Sequence, residues 1–206
     1  VPDPLGVCES PYNIRDGKRQ STVVAYLNPA RNRPNLTIEA KAPVVSLRIA
    51  SAKIGGVVYE KGGQLHTVSG DQVVLSAGAY HSPQILMLSG VGPSARLEKL
   101  GIRVTHGLEG VGENYQDHAV VYMTFEGTQG FQSDWVVPRF RLIFKSDSTR
   151  PCGDFHIIMR PPTQLQGMKP LMPVSAHLLE QRNRGRLILK SLDPRELPGV
   201  DSKMMT

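Results

Sequence analysis

The feature that most constrains the fold is a series of short β-branched runs that leads directly into a helix. The runs are separated by turn residues and lie at 36–38, 44–49, 56–59, 68 and 73–75. Gly55-Gly56 and Gly62-Gly63 are predicted to form tight turns. We therefore expect a β-meander or a pair of hairpins, followed by a final buried strand at 72–76.

The helix that follows this strand is predicted to begin at Ser82-Pro83. The serine hydroxyl is typical of an N-cap, and proline is favoured at the first helical position. Ile85, Leu86 and Leu88 supply a buried face, and Ser89-Gly90 ends the helix. A strand of small residues that feeds a capped helix is the local pattern of many nucleotide-binding folds.

For the rest of the chain, the sequence predicts one more short helix and several strands. Ser94 begins a second short helix that ends at Gly101, and Ile102 and Val104 then predict a strand. Residues 1–20, rich in Pro, Gly and charge, predict a loop. Beyond a Gly-rich loop that ends near residue 118, a mostly antiparallel sheet is expected, with strands at 119–125, 139–144, 154–159 and 186–191.

Charge and cysteine content exclude several classes of function. The net charge is +6, but the basic residues stand singly or in short groups, and aromatic residues make up only 6% of the chain. A nucleic-acid binder that stacks bases needs aromatic side chains along a basic stripe, so no nucleic-acid partner is expected. Cys8 and Cys152 have no metal-ligand spacing, so neither a disulfide framework nor a metal site is predicted.

The chain also lacks the sequence pattern of a membrane protein. No apolar run approaches the roughly 20 residues that a membrane-spanning helix needs. We therefore expect a soluble protein, cytoplasmic by default. The first residues, Val-Pro-Asp-Pro, include no initiator methionine, so a fragment of a longer protein is expected.

A longer pattern resembles a known family. Gly78-Ala-x-x-Ser-Pro-x-Ile-Leu-x-x-Ser-Gly-Val-Gly92 resembles, position by position, the second signature of the glucose-methanol-choline (GMC) oxidoreductases, and in particular the choline dehydrogenases. The resemblance covers residues 12–118 well and is thin between about 126 and 180. Its other motifs lie, in the family's order, at 15–27, 33–38, 110–118, 184–191 and 193–194.

The resemblance implies an α/β (α+β) fold with two parts. Residues 1–118 are expected to form part of a Rossmann-like FAD-binding domain, and residues 119–206 part of an antiparallel-sheet substrate-binding domain. The implied activity is oxidation of a small-molecule alcohol to an aldehyde, by hydride transfer to FAD. The family's Gly-x-Gly-x-x-Gly turn does not occur in residues 1–206, and its catalytic histidine lies in a segment that this chain does not reach. No catalytic residue is therefore predicted, and the chain alone is expected to be inactive.

Four residues are expected to contact FAD by this resemblance. Val44 matches a valine that meets the adenine end through its main chain, so a plain core valine is compatible with the same sequence. Ala77 and Gly78 match small residues that run beside the dinucleotide, although Gly78 is also explained by a turn. Asn114 lies in the loop between the cofactor and substrate regions.

Two questions stay open at this point. Arg15, Asp16 and Arg19 either form an ion-pair cluster near the cofactor or a solvated turn, and the solvated turn is favoured. The main alternative to an oxidoreductase is a truncated relative that acts as a non-catalytic binding or interaction module. The sequence does not determine the oligomeric state or which alcohol is used.

Overall fold

The computed structural model describes residues 5–128, 138, 140–163 and 167–204. The chain forms two compact units. The first combines Val1–Leu36 with Asp117–Arg182, and the second combines Thr37–Gln116 with Asn183–Thr206. One change of unit lies next to the predicted boundary at 118, and each unit is built from two separate stretches of chain.

The elements of the described residues are short, and strands outnumber helices. A π-helical turn, Val23–Leu27, leads into the first of the helices, which are α1 (Asn28–Ala30), α2 (Gly78–Leu88) and α3 (Ser94–Lys99). The strands are β1 (Gly6–Glu9), β2 (Ile14–Arg15), β3 (Lys18–Arg19), β4 (Val44–Ala50), β5 (Lys53–Lys61), β6 (Gln64–Ser69), β7 (Val91–Gly92), β8 (His106–Gly107), β9 (Glu113–Tyr115), β10 (Ala119–Glu126), β11 (Phe140–Phe144), β12 (Phe155–Met159), β13 (Leu171–Leu178), β14 (Gly185–Ile188) and β15 (Gly199–Asp201).

The first unit contains a five-stranded antiparallel sheet in the order β1-β11-β12-β13-β10. This confirms the predicted antiparallel sheet for the strands at 119–125, 139–144 and 154–159, whereas the strand predicted at 186–191 lies in a separate sheet. The loop predicted for residues 1–20 is wrong at β1, because β11 supplies its ladder partner from a distant part of the chain. Strand β13 was not predicted, because its Pro173 is a residue that argues against a central strand.

The second unit contains the predicted meander, β4-β5-β6. Gly62 and Gly63 form the predicted second turn, with φ of +61° and +78°. The turn predicted at Gly55-Gly56 is wrong, because both residues lie inside β5. A Cβ on Gly56 would lie 2.2 Å from the carbonyl oxygen of Val68 on β6, so close backbone approach, rather than a turn, requires this glycine.

Helix α2 begins at Gly78, four residues before the predicted start. The Ser82 hydroxyl does not cap the helix but accepts a hydrogen bond from the Ala77 N–H at 3.1 Å. The buried strand predicted at 72–76 is also wrong. No strand in the described part of the chain pairs with this segment, and Val74 is 85% exposed. A strand without a neighbour leaves its backbone groups unpaired, so β-branched composition alone does not create one.

The core of the second unit lies where α2 and α3 pack together. Met87, Leu97, Val111 and Leu189 are buried in it, and Ile102 and Val104 pack against it. The strand predicted at Ile102 and Val104 is wrong, because the Ile102 N–H bonds to the Leu97 carbonyl oxygen at 2.9 Å and so closes the end of α3. Gly101 there has the predicted left-handed conformation, with φ of +74°.

A second small sheet, β15-β14-β9, joins the two stretches of this unit. Leu187 on β14 donates its N–H to the Gly112 carbonyl oxygen at 2.6 Å. Strand β14 belongs to the segment matched to the family's substrate-binding domain, yet it pairs with β9 from the Gly-rich loop. Among the described residues, the helices are too short and not apolar enough for a membrane span.

Candidate functional site

A pocket of about 520 Å³, the α2 pocket, lies in the second unit along helix α2, from His81 to Leu88. Apolar side chains supply most of its wall, among them Val44, Leu75, Ile85 and Leu88. Ser76, His81 and Gln84 add hydrogen-bonding groups. An apolar pocket with a few convergent polar groups is the usual form of a small-molecule or cofactor site.

Two of the predicted site residues, Val44 and Ala77, line this pocket together. Val44 is the first residue of β4, where a bulge shifts the pairing with β5 between Val44 and Ser46. Bulges are common next to binding sites because they redirect a strand locally. Ala77 immediately precedes helix α2, so a strand end and a helix start meet at the pocket.

Gly78 follows Ala77 and is the first residue of α2. Its φ is +85°, a conformation that glycine adopts without the steric cost of a Cβ. A Cβ placed there would meet no atom within 4 Å, so the backbone conformation, and not the space, requires glycine. The turn that glycine permits directs the chain from the exposed segment before Ala77 into the helix.

Gln84 holds the polar side of the α2 pocket in one arrangement. Its side chain is 2% exposed, and its Nε2 donates to the carbonyl oxygens of Pro194, at 3.3 Å, and Glu196, at 2.8 Å. The amide nitrogen is thereby oriented toward these two carbonyls, so the amide oxygen is the atom that lies 2.9 Å from Nδ1 of His81. Because an amide oxygen only accepts, the neutral tautomer of His81 that fits this contact carries its proton on Nδ1 and leaves Nε2 as an acceptor.

The segment after β14, which accepts the hydrogen bonds of Gln84, also contributes to the α2 pocket and contacts β5. Pro194 lines the α2 pocket, and Arg195 forms an ion pair with Glu60 of β5 at 2.6 Å. His81, Gln84 and Pro194 are not among the site residues predicted from the sequence. The Asp193-Pro194 match to the family was a signal for Pro194, whereas no local pattern predicts the contact of Gln84 with a segment so distant in sequence.

The structure does not bring Asn114 into the same pocket. Asn114 lines a smaller pocket of about 350 Å³ in the second unit, together with Ala79 and Pro83 of α2. Its φ is +61°, and asparagine is one of the few residues that adopt this left-handed conformation readily. Asn114 therefore has a conformational reason for its identity besides any role in binding.

The remaining polar candidates lie in the first unit. Arg15 and Arg19 lie on the hairpin β2-β3, which turns at Asp16 and Gly17 with φ of +51° and +70°. These residues are exposed, as expected for a solvated turn. His118 donates its backbone N–H to the Asp117 carboxylate at 2.8 Å.

Comparison with known sequences supports the resemblance. The sequence model of the GMC oxidoreductase family matches residues 2–120, more than half of the chain. The chain belongs to the GMC oxidoreductase family. The family's cofactor is FAD, which confirms the predicted cofactor at the level of the family.

The GMC relatives include oxygen-dependent choline dehydrogenases of Staphylococcus aureus. One of these is 44% identical over 110 residues, which is 53% of this chain and 19% of the relative. The chain thus spans about a fifth of the length of the curated relatives that it matches. The match confirms the resemblance to choline dehydrogenases.

Solved structures share the fold of this GMC chain. Pyridoxine 4-oxidase from Mesorbium loti superposes with a TM-score of 0.84 at 22% identity, over 98% of this chain and 42% of its own. A formate oxidase from Aspergillus oryzae, studied for its FAD modification, gives a TM-score of 0.83 at 20% identity, over 95% of this chain and 44% of its own. At these identities the likeness concerns the fold alone, and it confirms the predicted mixed α+β class.

Proposed function

We propose that this chain forms part of an FAD-dependent oxidoreductase that oxidises a small alcohol to an aldehyde, and that it supplies part of the FAD site. The observation that carries the proposal is the α2 pocket, because the residues matched to the family's cofactor contacts, Val44 and Ala77, line it together. Membership of the GMC family supports the cofactor. Choline is the substrate class suggested by the curated relatives.

The chemistry of the α2 pocket fits the adenine end of such a cofactor. A flat aromatic ring favours apolar walls, which Val44, Leu75 and Ile85 provide. Nε2 of His81 is available as an acceptor, which suits an amino or hydroxyl group of a ligand. Small residues at Ala77 and Gly78 let a ligand approach the backbone where helix α2 begins.

Each part of the chain has a separate task in this proposal. FAD supplies the hydride acceptor for the oxidation of the alcohol carbon. The apolar residues of the α2 pocket exclude water from the bound ring, and Gln84 fixes the tautomer of His81. In this proposal, residues 1–118 belong to an FAD-binding part and residues 119–206 to a substrate-binding part. Pro194, from the substrate-binding part, nevertheless lines the α2 pocket.

The first experiment compares FAD binding in two alanine-to-leucine variants by flavin fluorescence quenching and titration calorimetry. The protein is this chain extended in frame to both natural ends. Ala77→Leu places a large side chain in the α2 pocket and is expected to abolish or strongly weaken FAD binding. Ala95→Leu makes the same change at an exposed site on α3 and is the control. Equal FAD affinity in both variants would contradict the assignment of the α2 pocket.

The second experiment separates the oxidoreductase from the non-catalytic module. The extended protein is mixed with FAD and with choline or other small alcohols under anaerobic conditions, and bleaching of the flavin absorbance is followed. Reduction of the flavin is the expected result. If the gene's natural ends coincide with those of this chain and the folded protein takes up no FAD, the binding module becomes the better account.

A further inference from the structure

The five-stranded sheet of the first unit has two faces of different chemistry. Because side chains alternate along a strand, the ladder register assigns each residue to a face. One face is almost wholly apolar and carries residues such as Phe125, Phe144, Phe155 and Val174. The opposite face, here called the basic face, carries Cys8, Arg141, Ile143, His156, Ile158, Arg160, Ser175, His177, Val120, Tyr122 and Thr124.

Two arginines lie close together on the basic face. Arg141 is paired with Ile158, so Arg160, two residues further along, is its diagonal neighbour, a relationship that places Cβ atoms about 7–8 Å apart. The Nε atoms of both arginines are buried and have no hydrogen-bond acceptor in the part of the chain that the structure describes. The guanidinium of Arg160 lies over the ring of Tyr122, 5.6 Å from its centroid, and this contact holds its plane.

Two histidines lie on the basic face together with these arginines. His156 and His177 are directly opposite each other on β12 and β13. His177 Nε2 lies 2.9 Å from the hydroxyl oxygen of Ser175, which is fully buried. Burial lowers the pKa of His156, with Arg141, His177 and His118 adding to the effect, and burial followed by Arg160 and His118 lowers the pKa of His177. The four side chains therefore act on one another electrostatically.

Within the described ranges, acidic side chains do not neutralise this group of four. Glu126 is at the far end of the basic face and forms an ion pair with Lys169 at 2.7 Å. The Asp154 carboxylate accepts hydrogen bonds from the backbone N–H and the hydroxyl of Ser146 and also contacts Arg150. The positive charge of Arg141 and Arg160 thus lacks a carboxylate partner among the described residues.

We propose that Arg141, Arg160, His156 and His177 form a binding site for a small oxyanion, a carboxylate or a phosphate group. Charge complementarity is the reason for choosing an anion, and guanidinium groups bind both of these oxyanions through paired hydrogen bonds. The site lies within the first unit and does not require bound flavin, so it goes beyond the function proposed above. A metal is not the ligand, because the described His, Cys, Asp and Glu residues form no group of three that could hold one.

The test measures anion binding by titration calorimetry on the extended protein without FAD. Succinate and inorganic phosphate are the probes, and choline chloride is the cationic control. Arg141→Met and Arg160→Met are each expected to weaken binding of the tighter probe by about tenfold or more. Arg31→Met, at an exposed arginine of the same unit, is the matched control and should leave the affinity unchanged. Binding of neither probe, or equal losses in all three variants, would overturn the site.

The pH dependence provides a readout that a merely structural role would not change. Protonated histidines favour an anion, so the affinity for succinate, which stays largely a dianion over this range, should rise as the pH falls from 8 to 6, and the double variant His156→Gln/His177→Gln should lose this rise. The other titratable or charged groups of the basic face are Cys8, Arg141, Arg160, Tyr122 and Glu126 among the described residues. Asp117, His118, Lys145 and Asp154 lie at the ends of its strands, and all of these groups are unchanged in that variant.

A measurement on the unmutated protein covers the case in which a variant fails to fold. Saturating succinate or phosphate should move the NMR titrations of His156 and His177 to higher pH, whereas choline chloride should not move them. Unmoved titrations of His156 and His177 at saturation would place the anion elsewhere and overturn the proposal. Because FAD is absent throughout, this result is independent of whether the flavin proposal succeeds.

Discussion

The side-chain amide of Gln84 donates a hydrogen bond to the backbone carbonyl oxygen of Glu196 at 2.8 Å, across 112 positions of the chain. The same nitrogen reaches the Pro194 carbonyl oxygen, while the amide oxygen faces His81. One buried residue of α2 thereby joins two distant stretches of the second unit and fixes a wall of the α2 pocket.

Replacing Gln84 by methionine should destabilise the second unit. The change keeps the side chain's approximate volume but leaves the carbonyls of Pro194 and Glu196 without their donor, at a cost of about 1–3 kcal/mol. Gln72→Met, at an exposed position, is the control. Urea unfolding followed by circular dichroism measures the difference, and equal midpoints for the two variants would contradict a structural role for the Gln84 bonds.

Two glycines with similar backbone angles should respond differently to alanine. Gly90 has φ of +81°, and a Cβ there would lie 2.4 Å from the Arg103 carbonyl oxygen and 2.6 Å from the Thr105 hydroxyl. Gly101 has φ of +74° and open space around the added atom. Gly101→Ala should cost about 1–2 kcal/mol in conformational strain, and Gly90→Ala about 3 kcal/mol or more, since overpacking adds to the strain. Thermal or urea unfolding that ranks the two variants equally would count against the packing described here.

Asp154 should make the stability of the first unit depend on pH in the acidic range. Hydrogen bonds from the Ser146 hydroxyl and backbone N–H hold the pKa of this buried carboxyl below its usual value. A carboxyl whose pKa is lowered by folding stabilises the fold above its unfolded-state pKa of about 3.9. That contribution is lost as the pH falls through the folded-state pKa.

The check is a series of urea midpoints between pH 5 and pH 3. The midpoint of the unmutated protein should fall over this range more steeply than that of Asp154→Asn, which has no carboxyl to protonate. Ser146→Ala keeps the backbone donor and should give an intermediate slope. Parallel curves for all three proteins would show that the Asp154 hydrogen bonds do not control acid stability.

Two variants of Asn114 separate a role of its side-chain amide in FAD binding from its role in the backbone conformation. Asn114→Gly keeps the left-handed conformation and removes the amide, whereas Asn114→Ala removes the amide and strains the backbone. If the amide contacts the cofactor, as the family resemblance predicts, both variants should bind FAD about three- to tenfold more weakly in a flavin titration. Normal affinity in the glycine variant would assign Asn114 to the turn alone.

The predictions that succeeded concern local patterns. The meander, the turn at Gly62-Gly63 and the left-handed Gly101 depend on residues a few positions apart, whose conformational preferences act locally. The strand predicted at 72–76 failed because a strand needs a neighbour, and its β-branched residues have none in the described part of the chain. Helix α2 begins before its predicted start because the left-handed Gly78, and not the Ser82 hydroxyl, sets its first residue.

For the candidate site too, the sequence predicted what local motifs carry and not what depends on distant contacts. The family motif pointed to Val44, Ala77 and Gly78, and two of these line one pocket. Gln84 and His81 were missed because their importance lies in hydrogen bonds to each other and to a segment that is distant in sequence. Asn114 was predicted with the cofactor residues, but it lines a different pocket.

By itself, the sequence determined the family, its cofactor, the fold class and the residues matched to the cofactor contacts, because these are written in short motifs. Only the tertiary structure decided which distant segments pair, how the chain divides into two units and which charges share a sheet face. These depend on contacts between residues far apart in the chain. His156 and His177, 21 positions apart by their numbering, become neighbours only when β12 and β13 align in register.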